Sequence, residues 1–386
     1  MGVTLLGPQR RPTVDRVVRS LDVAGPIATV TAGWQEREGE DIELDEQLGG
    51  RSVNLRLYQR WEDIQERDHE FVAATRRRRD ELLELRHTYL IRLGHALAAV
   101  HDLAPDAEEV AAGEVGRERE AEIGPRHEAL STGAVGIDRG GGDAANVEVG
   151  LDDSSDAPGQ SAGGGHIPGG NDARMDSSSG HPTLRRRRSA ARAEARARAI
   201  EDVRRIDAEH ISWLDEHNDE FVARWAPHER DSVARHRVEV AHRLDEAGAL
   251  TIAGGHVAVL ISLLHLFALD PPRRLPIIAW SAGAMALTEH VVIYHDRTVQ
   301  GPSDAEVYGR GIGVVLGTIA VPHARDRLLL NDTDRMAVLS ARFAPATCVL
   351  LHPGTRLDVG FDGALPAAAQ VLGADGHVRA LAGAIA

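Results

Sequence analysis

The sequence predicts an α/β fold: a mainly parallel sheet flanked by helices, interrupted by a long helical and partly disordered insertion. Three observations predict it. Short apolar runs alternate with helix-like segments at both ends of the chain. The apolar period changes to helical spacing over residues 61–102 and again over 186–245. Between these two zones the chain turns rich in Gly, Ser, Ala and Asp and carries no aromatic residue.

The runs VTLL, PIATVTAGW and SVNLRLY read as strands, with TVDRVVRSL and DIELDEQL as helices between them, so residues 1–60 open the α/β domain. Over 61–102, Phe71, Leu82, Leu83, Leu85, Leu90, Leu93, Leu97 and Val100 recur at helical spacing among charges. That pattern predicts one long amphipathic helix of about ten turns, or two consecutive helices. Residues 103–185 cannot bury enough apolar surface to offset their ordering entropy and are predicted disordered. Helical pattern returns over 186–245 and should break at Pro227. Trp61 followed by HEFVA, and Trp213 followed by DEFVA, form a weak echo that fits an antiparallel helical hairpin around the disordered loop. From Ala249 the strand-like runs ALTIAGG, LPIIAWSAGAMAL, TIAVPH and TCVLLHPG resume. The expected organisation is therefore 1–60, a helical coiled-coil insertion over 61–240, and 241–386 as the second part of the α/β domain. Insertions of this size are tolerated because loop-closure entropy grows slowly with length.

Composition excludes several function classes. The 386 residues carry 59 acidic and 44 basic side chains, every basic one an arginine, for a formal net charge of −15. No nucleic-acid partner is expected, since a polyanion needs a basic face. The runs Arg76–Arg79 and Arg185–Arg188 are followed by acidic residues and read as solvated helix faces. Hydrophobic residues make up 42%, enough for a sizeable core, while aromatics are only 4%, so that core must be mostly aliphatic. The single cysteine, Cys348, excludes a disulfide framework and a cysteine-built zinc site. No motif asks for a cofactor or a metal. The opening residues lack the long apolar core of a secretory signal, and the most apolar stretch, 247–269, is broken by glycines, His256 and His265. A cytoplasmic protein without a membrane span is expected. The leucine-rich face of the long helices points to burial against a partner or a second copy, hence a homodimer.

The chemistry is concentrated in Leu275–Leu287, where an apolar strand runs straight into Ser281 and then into Ala282, Gly283 and Ala284. This is the layout of a nucleophile elbow, with Ala279 where the first glycine usually stands. Small neighbours are needed because the bend brings strand and helix backbones close. The alternative is a strand followed by a helix with Ser281 as its N-cap. Upstream, a strand ends in Gly254-Gly255, where backbone amides can face a site unobstructed. Either amide, with that of Ala282, is a candidate oxyanion donor; an ordinary tight turn is the alternative. Downstream, a strand ends in Pro322-His323, and His323 is a candidate general base. His290 and His295 read as structural or solvent-facing.

Taken together, AGGHV (253–257), WSAGA (280–284), GIGVV (311–315), PH (322–323) and TDRMAVL (333–339) resemble the dipeptidase E and cyanophycinase family of serine peptidases. The resemblance covers about 248–375 and implies a class I glutamine amidotransferase-like fold. It implies Ser281 as nucleophile, His323 as base, Gly254 or Gly255 and Ala282 as oxyanion donors, and a functional role for Asp296. It also implies small aspartyl peptides or aspartate-backbone polymers as substrates. The chain departs from the family at two positions. His256 stands where the family has Asn, and Pro353 stands where it has an acid, leaving Asp296 or Asp358 as substitutes. Two functions stay open at this point: a serine-type hydrolase of peptide bonds, or a catalytically degenerate relative that binds or assembles through the helical insertion.

Overall fold

Apolar runs too short for helices become strands here because helices cover both of their faces, as parallel sheets require. The computed structural model describes residues 2–9, 14–104, 182–271, 275–297, 303–360 and 363–383. The chain opens with β1 (Val3–Leu6), α1 (Asp15–Ser20), β2 (Ile27–Val30), α2 (Ile42–Gln47) and β3 (Ser52–Asn54). Four helices follow: α3 (Leu57–Arg67), α4 (His69–Asp102), α5 (Pro182–Trp225) and α6 (Asp231–Glu246). Next come β4 (Ala249–Ile252), α7 (Val257–Leu266), β5 (Ile277–Trp280), α8 (Ala282–Leu287), β6 (His290–His295) and β7 (Ser303–Arg310). The last part holds β8 (Thr318–Pro322), α9 (Ala324–Arg327), α10 (Thr333–Phe343), β9 (Thr347–Leu351), β10 (Arg356–Val359), β11 (Gln370–Leu372) and β12 (Val378–Ala380).

The main sheet has six strands in the order β10-β1-β5-β4-β2-β3. All pairs in it are parallel except β1 with β10. Successive residues alternate between its two faces. On β5, Ile277 and Ala279 join the core that also holds Leu260 and Leu264 of α7, while Ile278 and Trp280 join the one with Val17 of α1 and Leu44 of α2. A second sheet, β12-β11-β9-β8, pairs β8 with β9 in parallel, and β6 with β7 forms a separate hairpin. The α/β class is thus as the alternation predicts.

Over 57–102 the helical pattern takes the second of its two expected forms. It is two helices, split at Asp68, whose side chain caps α4 by accepting from the Phe71 amide at 3.1 Å. Arg230 holds the same carboxylate with two bonds of 2.7 and 2.6 Å, which pulls the Asp68 pKa down to about 2. SVNLRLY is strand only over its first residues, because Arg56 turns left-handed (φ 51°) and Leu57 starts α3. Helix α5 ends at Trp225, just ahead of Pro227, as expected. Within α4, Leu83 is exposed, whereas Tyr89, which the leucine count passed over, is fully buried. Leu93, Leu97 and Val100 pack on Val203 and Ile206 of α5 and on Val338 of α10. This part of the face is therefore covered by the chain itself, while Leu83 and Ile91 of the same helix stay exposed.

The chain divides into two units. One contains 1–104 with 192–386, so most of the helical zone belongs with the sheets rather than apart from them. The other is 105–191, of which only 182–191 is described. The disorder expected for 103–185 falls almost wholly outside the described residues. Among the described residues no helix is long and apolar enough to cross a membrane.

A buried polar network ties the long helices to the C-terminal part. Tyr89 donates to Asp207 at 2.8 Å and accepts from the Val307 amide at 2.9 Å. Arg342 donates twice to Asp207, at 2.7 and 2.6 Å, and to the Ala305 carbonyl at 2.5 Å. His210 stacks on Tyr89 with ring centroids 4.0 Å apart, and burial pushes its pKa down to about 4. Removing one member of a buried ion pair strands the other charge. Asp207→Ala should therefore lower unfolding free energy by about 3–5 kcal/mol, read from denaturant midpoints. An unchanged midpoint would show that Arg342 finds other partners.

Candidate active site

Strand β5 delivers Ser281 to the carboxyl edge of the main sheet, where the chain must reverse into α8. Ser281 makes the reversal with φ 52° and ψ −122°, a conformation that costs a non-glycine residue about 1–3 kcal/mol. It persists because both flanks are held. β5 is paired on both sides, by β1 and β4, and every residue of α8 is buried. A side chain at Gly283 would run into the Ile252 carbonyl and sit 2.9 Å from that of Ala253. A Cβ at Gly254 would lie 2.8 Å from the Ser281 Cβ. Gly255 has φ +129°, and a Cβ there would collide with the backbone of Gly33. The small residues of both motifs are thus needed for backbone contact. The GIGVV segment has a similar local reason: the Ile312 and Val314 amides donate to the Ala286 and Leu287 carbonyls at 2.8 and 2.9 Å, closing the end of α8.

Strand β8 ends beside this turn. His323 follows Pro322 in the left-handed region (φ 57°) and starts α9. The Tyr294 hydroxyl, itself buried, donates to the Pro322 carbonyl and anchors that strand end. Ser281 Oγ lies 3.2 Å from His323 Nε2. With the ring proton assigned to Nδ1, Nε2 is the acceptor and the serine hydroxyl the donor. Burial, with the nearby Arg327 charge, lowers the His323 pKa, against the opposite pull of Asp326. The imidazole is therefore neutral at neutral pH and able to accept a proton. Ser281, His323, Gly254 and Gly255 line one cleft of about 390 Å³, with Trp34, Arg37, Glu40 and Glu43 on its walls. Ala282 is the first residue of α8, where an amide has no acceptor within the helix.

The other candidates fall elsewhere. Asp296 is buried, and its carboxylate accepts from Arg335 at 2.7 Å and from the Leu329 amide at 3.1 Å. Its own amide donates to the Arg327 carbonyl at 2.7 Å, so Asp296 braces the segment after His323 without touching the ring. Asp358 lies on the edge strand β10 and is engaged by Thr4 and Arg356. Pro353 is exposed in the turn after β9. His256 caps α7, its Nδ1 accepting from the Val259 amide at 3.3 Å. His290 is half-buried in β6 and His295 is exposed. Cys348 is buried and its pKa is pushed up to about 12, so it stays a protonated thiol. Among the described residues no group of three or more His, Cys, Asp or Glu side chains is arranged to hold a metal ion.

Two features were not legible in the sequence. The first is Asp326, whose Oδ2 lies 3.8 Å from His323 Nδ1. Its only signal is the three-residue offset from the histidine. The second is the turn after β2, Ala32–Arg37, in which Gln35 nearly repeats the Ser281 conformation (φ 58°, ψ −127°). That turn brings Gly33 against Gly254 and Gly255, and the Gly33 carbonyl accepts from the His256 amide at 2.7 Å. No local sequence signal marks Gln35.

The chain matches no protein-family model, and no curated protein matches it significantly. Within the site itself, Gly283→Ala should cost about 1–3 kcal/mol of stability, the usual penalty of overpacking. A folded variant of wild-type stability would show that α8 can shift away from β4.

Proposed function

We propose that the protein is a serine-type hydrolase acting on a peptide or related acyl bond through an acyl-enzyme on Ser281. The observation that carries this reading is the 3.2 Å approach of the Ser281 hydroxyl to His323 Nε2, on a strained strand-to-helix turn. Ser281 Oγ would attack the substrate carbonyl carbon while His323 Nε2 takes its proton. The amides of Ala282 and of Gly254 or Gly255 would stabilise the oxyanion. His323 would return the proton to the departing amine, and water would then release the acyl group by the same route in reverse. The resemblance to the dipeptidase E and cyanophycinase family, with its amidotransferase-like fold and its small aspartyl peptides or aspartate-backbone polymers, supports the same reading. So do the parallel order of the main sheet and the site at its carboxyl edge.

A second reading has two observations in its favour. Among the described residues the nearest acid to His323 Nδ1 is 3.8 Å away, beyond hydrogen-bond reach, and Pro353 stands where the family has a carboxylate. A degenerate relative that works as a binding or assembly module would tolerate both.

A fluorophosphonate probe separates the two. Wild type should be labelled, and Ser281→Ala should abolish labelling while keeping its circular dichroism spectrum. His323→Ala should slow labelling by about 10²- to 10⁴-fold. Labelling needs the neutral ring, so its rate should fall only as pH drops below the usual imidazole range, following the lowered His323 pKa. A folded wild type that never labels would leave the binding-module reading standing.

A further inference from the structure

His323 presents Nε2 to Ser281, which leaves Nδ1 on the opposite edge of the ring. In a serine–histidine pair an acid at that nitrogen holds the tautomer and stabilises the imidazolium. The turn after β9, where the family resemblance would put that acid, reads His352-Pro353-Gly354-Thr355 and has none. Parallel register sets Pro322 opposite Leu351, so His323 and His352 leave neighbouring strand ends together. His352 is buried, with its Nδ1 unpartnered, and burial together with Arg325 lowers its pKa. A neutral imidazole supplies no negative charge.

The charge comes from the other direction. His323 turns left-handed and starts α9, and the Asp326 amide donates back to the His323 carbonyl at 2.9 Å. This turn brings the Asp326 carboxylate to within 3.8 Å of Nδ1. Its side chain is 72% exposed, so it can rotate to close the remaining gap. The far end of the same segment is pinned by Asp296, through the Arg327 carbonyl and the Leu329 amide. We propose that Asp326 is the positioning residue of the Ser281–His323 pair, accepting the Nδ1 proton in a hydrogen bond so that Nε2 stays free for the serine proton. The assignment rests on the hydrolase reading of the same site.

Several charged and titratable groups lie around the ring. Arg327 and Asp326 act on it from α9, Arg325 of the same helix acts on His352 at the neighbouring strand end, and Arg37, Glu40 and Glu43 line the same cleft. Of the groups acting on His323, Asp326 is the one that raises its pKa. Removing that charge should move the acid limb of the rate to lower pH while the plateau falls. A merely structural loss would lower the plateau without moving the limb.

The test is the rate of fluorophosphonate labelling of the full chain across the acid and neutral range. Asp326→Asn should label at least about 10-fold more slowly on the plateau, an exposed acid being worth less than a buried one. Its acid limb should move to lower pH. Asp326→Glu should restore most of the rate, and Asp358→Asn, which removes a charge on the edge strand, should behave as wild type. Wild-type rates and an unmoved limb in Asp326→Asn would overturn the assignment while leaving the hydrolase reading intact. Failure of the folded wild type to label would overturn both.

Discussion

The structure around the site depends on one close backbone approach, between the end of β4 and the Ser281 turn. Gly254 lies against the Ser281 side chain, and Gly283 lies against the carbonyls of Ile252 and Ala253. Neither contact leaves room for a Cβ. The approach lets a short, fully buried helix start directly behind the serine, and it holds a backbone conformation that the serine would not otherwise keep. A third glycine-dependent contact, Gly33 against Gly255, adds the turn after β2 to the same cluster. The strain at Ser281 is thus maintained by packing on three sides rather than by any single bond.

A second constraint acts at a distance from the site. Asp207 and Arg342 are charged groups taken out of water, and they remain tolerable because each finds several partners at once. Tyr89, Val307 and Ala305 complete the set. The network joins α4 and α5 to β7 and α10, so the long helices are fastened by polar chemistry as well as by the Leu93, Leu97 and Val203 contacts. The hairpin β6–β7 sits between that network and the segment braced by Asp296, whose amide and carboxylate hold the chain beyond His323.

Electrostatics in the cleft follow from burial more than from net charge. The chain is strongly acidic overall, yet the His323 ring responds first to its own desolvation and then to Arg327 and Asp326 close by. Charges more than about 10 Å away in water are largely screened. The low His323 pKa keeps Nε2 unprotonated, which the proposed acyl transfer needs.

Much of this was legible in the sequence. Alternation of apolar runs determined the strands β1, β2, β4, β5, β8 and β9, and Pro227 marked the end of α5, because both signals are local. Ser281 and His323 were each marked by an apolar strand running into a tight turn, the resemblance implied that they pair, and the fold sets them 3.2 Å apart. Other features needed the folded chain. The hairpin strand β7 carries mixed, half-exposed residues and no clean period, and the edge strand β10 alternates over only four residues. Tyr89 looked like one aromatic among leucines until its hydroxyl met Asp207, far along the chain. Asp296 and Asp326 could not be ranked as partners of the histidine from their positions in the sequence. Their distances depend on how β8, α9 and β6 are set against one another, and that is decided by packing. By itself, the sequence marked Ser281 and His323 as candidates, each at the end of an apolar strand. The tertiary structure decided which carboxylate stands beside His323, because a spacing along the chain becomes a distance only once the strands are paired.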